Sequence, residues 1–559
     1  MSPTIGYYRD LRDHIKALAD KGLLIEVDRV VNKDSELHPL VRLQFRGLPE
    51  AKRRAFLFRK VTDARNRGYE IPVLVGGLAA SEEIYALGLQ CAPEEIVTRW
   101  NKALSNPVGP TSVKTGKVKE VIHTGKNLLD HGGLEEFPIP ISTPGFDNAP
   151  YFTAACWITK DPDTGTRNMG MYRAQIKGPL HTGLYIGDGN NTATNWAKAN
   201  ARGKPLEAAA VIGGPVAVAY AAIQTVPYGI DELAIAGGLI DAPIPLVKAE
   251  TVDLEVPADA EIVVEGLIHT DGLEPEGSFG ESHGYSDPRT FSPYFEVTGI
   301  THRREPIWVS IISQLTPSES SKTKQRAYET SALKLLREHH GFKGVQRVVF
   351  YEQLLNRQYG VIKMKKVSDI EPWDAMYALL GTRTRSKIIV AVDDDIDAED
   401  PMAVNWAIVN RSQPHRDIRI IQPRPLPHGP LRFLADGNSY DKTDSALLID
   451  ATAKCPFPPI SLPAREYMEH AKELWKELDL PTLELKNPWF GYSLGLWTPE
   501  AQEEARLATE GRHFETGEKL IARREPTPPG SRIDDFRRQH RSHGDFAKTV
   551  ETSKKKPEK

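Results

Sequence analysis

Glu261-Ile262-Val263-Val264-Glu265-Gly266 and Tyr294-Phe295-Glu296-Val297-Thr298-Gly299-Ile300 are short runs rich in β-branched and aromatic residues, the composition of pleated, half-buried strands. Ala154-Ala155-Cys156-Trp157-Ile158-Thr159, Gly183-Leu184-Tyr185-Ile186 and Ala209-Ala210-Val211-Ile212-Gly213 are of the same kind. One amphipathic helix is expected among them, over residues 194–201. Many short strands with few long helices, between about residues 137 and 305, predict a β-rich barrel or sandwich.

On either side the rhythm is α/β. Residues 10–21 have helical periodicity, stop at Gly22 and run into a strand at 23–27. Residues 71–77 read as a buried strand and 81–87 as a helix, and a polar connection with Gly and Pro follows from about 106 to 133. Beyond about 318 a helix is expected over 324–340, strands at 345–350 and 361–364, and a helix at 401–410. Lys387-Ile388-Ile389-Val390-Ala391-Val392 is an apolar run suited to a parallel sheet. The predicted fold class is α/β plus β-barrel, in four parts. These are an N-terminal α/β domain at 1–125, a central barrel at 126–317, a C-terminal α/β domain at 318–500 and an extension at 501–559. The extension is expected to be a helix followed by a disordered basic tail.

With 559 residues the chain exceeds one core, and roughly three domains is the expectation. Hydrophobic residues at 40% and charged residues at 26% are those of an ordinary globular protein. A net charge of -4 gives no overall reason to expect a nucleic-acid partner. No apolar run reaches the ~18 residues of a membrane span, the N-terminus lacks a signal-peptide core, and Cys91, Cys156 and Cys455 have no metal-ligand spacing. A reducing cytoplasm is the expected location.

Two segments carry the chemistry. One is Asn168-Met169-Gly170-Met171-Tyr172-Arg173; the other is Glu274-Pro275-Glu276-Gly277-Ser278-Phe279-Gly280-Glu281-Ser282-His283-Gly284-Tyr285. Gly277 and Gly280 permit a tight loop that brings Glu276 and Glu281 towards one point. Two close carboxylates resist ionising together, so one can donate a proton. An arginine such as Arg173 would keep the other ionised and grip an anionic substrate in a fork. The competing reading is a solvated acidic loop. Glu232 precedes an apolar stretch and, with Asn168, offers oxygen ligands suited to Mn²⁺ or Mg²⁺; a helix-start carboxylate held by backbone amides competes there. Asp393-Asp394-Asp395 reads as a solvated strand end. The segment at 109–117 has the wrong glycine spacing for a phosphate loop, and G-x-G-x-x-G and H-E-x-x-H are absent.

In these blocks the chain resembles the UbiD family of reversible (de)carboxylases, which use prenylated FMN. Residues 168–175, 226–237 and 276–285 carry the likeness, supported by Leu254-Glu255-Val256-Pro257-Ala258-Asp259-Ala260-Glu261-Ile262-Val263 and by residues 390–397. The resemblance implies a flavin-reductase-like split β-barrel between two α/β domains, the last mediating oligomer contacts. It implies that Arg173 holds the substrate carboxylate, Glu281 donates the proton and Glu276 orients the arginine. It implies cofactor contacts at Asn168, Met169, Met171, Tyr172, Arg173, Asn190, Asn191, Ile223 and Gln224. Asn168, Asn191 and Glu232 would ligate Mn²⁺ or another divalent ion such as Fe²⁺ or Mg²⁺, and K⁺ would sit against carbonyls of residues 222–225.

Two positions depart from the family pattern. Asn191 stands where a metal-ligating histidine is usual, with His181 as an alternative ligand. Ala446 stands where a lysine contacts the cofactor phosphate, leaving Lys442 as the replacement if its loop is rebuilt. The expected reaction is decarboxylation of an aromatic or α,β-unsaturated acid, with CO₂ as the second small molecule and a prenyl-flavin synthase as cofactor supplier. A homodimer or homohexamer is expected. A phthaloyl-CoA-like aryl-CoA acid is an alternative substrate, with Arg326, Arg337 and Lys343 near the entrance. A flavin-binding scaffold subunit without activity is the rival from another class.

Overall fold

Two residues, Tyr172 and Arg173, separate strand Arg167–Met171 from strand Ala174–Gly178, yet these strands lie near opposite ends of one sheet. Its order runs Tyr151–Phe152, Ala174–Gly178, His181–Gly183, Tyr294–His302, Ile262–Ile268, Leu206–Ile212, Cys156–Lys160 and Arg167–Met171, with Val121–Thr124 also paired to Tyr294–His302. In a flat sheet those two strands would stand about 29 Å apart at ~4.8 Å per strand. The three peptide links from Met171 to Ala174 span about 11 Å at most. The sheet therefore curls until its ends meet, and Arg173 lies at the seam. Trp157 and Phe295 fill the interior edge to face, with ring centroids 4.9 Å apart.

This computed structural model describes residues 7–535 except 188, 225, 355, 383–385, 427–428, 436–441, 456 and 484–496. The expected barrel strands are present with shifted ends, and the helix predicted at 194–201 begins earlier, as Asn191–Ala201. Two further helices are present: Val216–Ile223, which has no counterpart in the sequence reading, and Glu232–Ile240, of which only a helix start at Glu232 was weighed. Both are apolar nearly all round, so they lack the one-sided periodicity by which a surface helix is recognised.

Helix Leu11–Asp20 is capped by Asp10, whose carboxylate accepts from the amides of Arg12 and Asp13, and Gly22 turns the chain at φ 67°. The N-terminal sheet runs Leu24–Asn32, Ala55–Thr62, Val73–Val75 and Trp308–Ser310, with Gly68–Tyr69 paired to Ala55–Thr62. The sheets interlock across the expected parts at 1–125 and 126–317. Strand Val121–Thr124 belongs to the barrel sheet, and Thr111–Ser112 pairs with Pro245–Lys248. Trp308–Ser310 returns to the first sheet, parallel to Val73–Val75.

The C-terminal sheet runs Val345–Phe350, Tyr359–Met364, Ile388–Asp393, Thr443–Asp450 and Ile418–Pro425, parallel in its centre and antiparallel at both edges. Separate apolar cores cover its two faces. Arg411 pairs with Asp393 (2.8 Å) and Asp395 (2.7 Å), so those carboxylates are structural. Beyond it lie helices Arg465–Glu477, Pro499–Thr509 and His513–Ala522. Most of the expected disordered tail, from 536 onward, lies outside the described residues. Among the described residues no helix is long and apolar enough to cross a membrane.

Helix Glu319–Lys334 joins all three units. It starts five residues before the predicted 324, because Ser318 caps it by accepting from the Ser321 amide, and ends in a π turn, Leu335–His339. Glu319 is fully buried, and its carboxylate accepts from the amides of Gly76 (3.0 Å), Leu78 (2.8 Å), Ala79 (3.4 Å) and Ile312 (3.3 Å). Four amides from two segments thus depend on one side chain. Glu319→Ala should cost about 3–5 kcal/mol by leaving buried donors unpaired, lowering the thermal unfolding midpoint by roughly 5 °C or more. Glu319→Gln should fall between the two, and a midpoint unchanged in Glu319→Ala would show that water or repacking satisfies those amides.

Candidate active site

Arg173 is buried at the barrel seam and fully engaged. Its Nε and Nη2 donate to the two oxygens of Glu276 at 3.1 and 2.8 Å, and Nη1 donates to Glu281 Oε1 at 2.6 Å. Asp287 Oδ2 stands 3.8 Å from Nη1. The guanidinium lies over the rings of Tyr185 (4.0 Å) and Phe279 (5.0 Å). Burial alone would lower its pKa, but Glu281 and Glu276 hold it above the ordinary arginine value. The fork-to-fork pairing with Glu276 fixes the plane of the guanidinium.

The two glutamates come from an excursion between strands Ile262–Ile268 and Tyr294–His302. Glu274–Glu276 pairs with Thr290–Ser292, and Phe279–Gly280 pairs with Ser286–Asp287. Gly277 adopts φ 101°, a conformation that disfavours any side chain. A Cβ on Gly280 would stand 2.7 Å from Gln314 Cγ. These two glycines let the chain turn so that both carboxylates meet one arginine. Glu276 has no exposed side-chain surface, whereas Glu281 is 26% exposed and faces a cavity. The solvated-loop alternative does not describe this arrangement.

That cavity has a volume of about 1220 Å³ and lies between the barrel, helix Glu319–Lys334 and the C-terminal domain. It gathers nine of the ten predicted cofactor contacts: Asn168, Met169, Met171, Tyr172, Arg173, Asn190, Asn191, Ile223 and Gln224. All three predicted metal ligands, Asn168, Asn191 and Glu232, line it as well. Glu232 does begin a helix, with Asp231 as the cap, but its carboxylate accepts from the Met169 amide (2.8 Å) across the structure. Burial pushes the Glu232 carboxyl up to about 8, and among the described residues no basic side chain pairs with it. A buried carboxylate in this state calls for a cation. Asn168 and Asn191 add amide groups, and among the described residues Gln224 Oε1 is buried without a hydrogen-bond partner. An all-oxygen donor set suits Mn²⁺ or Mg²⁺, and the volume exceeds the ~300–1,000 Å³ of drug-sized ligand sites. The residues present therefore fit a divalent ion and a nucleotide-sized cofactor. Ala222, Ile223 and Gln224 border the cavity where K⁺ was expected; Thr225 lies outside the described residues.

Several expected residues are elsewhere. Lys442, the tenth predicted contact, is exposed and does not line the cavity. Ala446 is buried in the C-terminal core. His181 Nε2 lies 3.0 Å from both oxygens of Glu274, and its ring stacks on Tyr294, away from the cavity. Arg326 is consumed by ion pairs to Glu82 (2.7 Å), Glu329 (2.8 Å) and Glu399 (3.0 Å), while Arg337 and Lys343 are exposed outside the lining. The cavity's cations beyond the barrel are instead Lys324, Arg357 and Lys387. Lys387 pairs with Asp444 (2.9 Å), and Arg357 lies over the Tyr328 ring at 4.4 Å. These three sit in segments read only as helix, loop and strand, with no local signal of a site.

The description "3-octaprenyl-4-hydroxybenzoate carboxy-lyase Rift-related domain" matches residues 111–315, and the C-terminal domain of the same family matches 324–451. The UbiD-class enzyme HmfF from Pelotomaculum thermopropionicum, solved as an evolved dimeric form in complex with prFMN, is 33% identical. The likeness covers 83% of this chain and 100% of that one, with a TM-score of 0.72. Vanillic acid decarboxylase from Sedimentibacter hydroxybenzoicus, in its closed form, is 27% identical over 84% of this chain and 99% of that one, with a TM-score of 0.71. An uncharacterized protein of Archaeoglobus fulgidus is 33% identical across 75% of this chain and 87% of its own length. With the two family domains in order and the seam arginine between its glutamates, the chain belongs to the UbiD family of carboxy-lyases.

Proposed function

We propose that this protein is a reversible, non-oxidative decarboxylase of an aromatic or α,β-unsaturated carboxylic acid that uses prenylated FMN. The observation that carries the proposal is the buried Arg173 clamped by Glu276 and opening through Glu281 onto a cavity that also holds Asn168, Asn191 and Glu232. Prenylated FMN, when bound, supplies the electron sink for the carbon that loses CO₂. Asn168, Asn191 and Glu232 would hold Mn²⁺ or a similar ion, Ala222 to Gln224 would border K⁺, and Lys324, Arg357 and Lys387 are the cations available to the cofactor phosphate.

The chain's own residues do the rest. Nη1 is the donor of Arg173 that faces the cavity side, and Glu281 occupies it. A substrate carboxylate that takes this donor displaces Glu281 or meets it protonated, because two carboxylates on one donor repel. Substrate binding is therefore coupled to a proton on Glu281, the group placed to deliver that proton once CO₂ has left. Glu276 keeps the arginine ionised and planar throughout. Tyr185 and Phe279 restrict water around the guanidinium, which strengthens its grip. The vanillic acid decarboxylase relative supports an aromatic acid. The aryl-CoA alternative draws nothing from Arg326, Arg337 and Lys343, which do not line the cavity. A scaffold subunit without activity would have no use for the assembled clamp.

In protein co-expressed with a prenyl-flavin synthase and assayed on aromatic acids, Glu281→Gln should lower kcat by about 10²–10⁴-fold. Full turnover of that variant refutes Glu281 as the proton donor. Arg173→Lys, which cannot form the fork, should cost about 10²–10³-fold in kcat/KM; a wild-type value would remove the clamp from the mechanism.

Glu232 predicts a pH signature. Its folded pKa is raised by burial above the ordinary 4.5 to about 8. Its contribution to folding is therefore fully present below about 4.5 and is lost as pH rises through about 8 in metal-free protein. Mn²⁺ competes with that proton, so its stabilising shift of the thermal midpoint should grow between pH 5 and pH 8, roughly the window set by burial. Glu232→Gln should flatten both trends; the same Mn²⁺ shift at pH 8 in that variant would move the ion elsewhere.

A further inference from the structure

A second group of ligand-bearing side chains lies outside the cavity. His123 sits on Val121–Thr124, and His302 ends Tyr294–His302. These strands are antiparallel, with Ile300 opposite His123 and His302 opposite Val121. The two histidines are therefore diagonal neighbours on one face of the sheet. Glu136 closes the short helical turn Gly133–Glu136 and brings its carboxylate to the same point.

The three groups converge through ring nitrogens and oxygens. His123 Nε2 lies 3.2 Å from His302 Nε2. Glu136 Oε2 lies 3.4 Å from His123 Nε2, and Oε1 lies 3.5 Å from His302 Nε2. Ligands held at the ~2.0–2.1 Å of a zinc site stand about 3.3–3.4 Å apart along a tetrahedron's edge. The separation of the two ring nitrogens is close to that edge, one oxygen of Glu136 reaches each of them, and all the ligand atoms lie within 4.8 Å of one another.

His302 Nδ1 lies 2.6 Å from the Arg303 carbonyl, which can only accept, so Nδ1 carries a proton and Nε2 is the nitrogen turned to the centre. Such an outer hydrogen bond orients a histidine in metal sites. Among the described residues Glu136 Oε2 is buried without a hydrogen-bond partner. Both histidines are buried. Phe137 packs edge-on against His302 at 5.7 Å and Trp308 packs on Phe137, which walls one side with carbon. His131 has its ring 4.8 Å from that of His123.

We infer that His123, His302 and Glu136 form a structural site for a divalent transition-metal ion of the zinc class, with water as the fourth ligand. Two imidazoles select zinc-like ions over the Mn²⁺ or Mg²⁺ suited to the oxygen-lined cavity. The ion would fasten the turn Gly133–Glu136 to the barrel sheet.

Full-length protein stripped with a chelator and titrated with Co²⁺ tests this independently of activity. The wild type should take up one equivalent with the intense visible absorption of four-coordinate Co²⁺, displaced by Zn²⁺. Glu232→Gln, which alters the cavity, should keep that signal. Glu136→Gln, whose parent side chain is half-buried in a turn and tolerant of exchange, and His302→Gln should lose it while their far-UV circular dichroism matches the wild type. A wild type without the four-coordinate signal overturns the inference, as does an undiminished signal in Glu136→Gln. If His302→Gln does not fold, the Glu136→Gln comparison decides.

Discussion

The constraint on which the structure depends is the two-residue link between Met171 and Ala174. Because a chain cannot stretch across an open sheet of this width, the sheet must curl. The residue that closes the curl, Arg173, is thereby fixed in position by the backbone of two strands at once. Sites on strands hold side chains more rigidly than sites on long loops, and here the strand ends and the site are the same residues. Glu276 completes the arrangement from a ribbon that could not approach without Gly277 and Gly280.

The cavity contains two kinds of electrostatic environment. Around Arg173 the carboxylates outnumber the cation, yet every one stands within reach of it, so burial is compensated by pairing. Around Glu232 burial is not compensated by any described side chain, which is the condition under which a carboxylate recruits an ion from solution. One cavity thus borders two regions with excess carboxylate, one held by pairing to Arg173 and the other without a basic partner among the described residues.

The sequence revealed the parts whose chemistry is local. The glycine-spaced glutamates, the Asn168–Arg173 segment and Glu232 were legible because each sits in a short block with an unusual composition. The barrel was legible from its run of short strands. What was not legible depends on distant pairing. Strands Val121–Thr124 and Trp308–Ser310 are brief and carry no label for the sheet they join, so the interlocking of the sheets was not legible. Lys442 was named and Lys387 was not, because order along the chain says little about which lysine a folded domain turns towards a cavity. His123, Glu136 and His302 are spread over nearly 180 positions, and only the antiparallel pairing brings them together. The buried helix Val216–Ile223 was missed because periodicity vanishes when every face is covered.

Strand Trp308–Ser310 also has a consequence for biogenesis. It supplies the outer neighbour of Val73–Val75, whose side chains are wholly buried in the finished protein. During synthesis at ~5–20 residues per second, the gap between these strands takes on the order of ten to fifty seconds to emerge. Throughout that interval the nascent N-terminal sheet exposes an apolar edge that its own early residues cannot cover, a template for wrong pairing. This sheet is therefore completed only after the barrel strands that lie between its two members have been made.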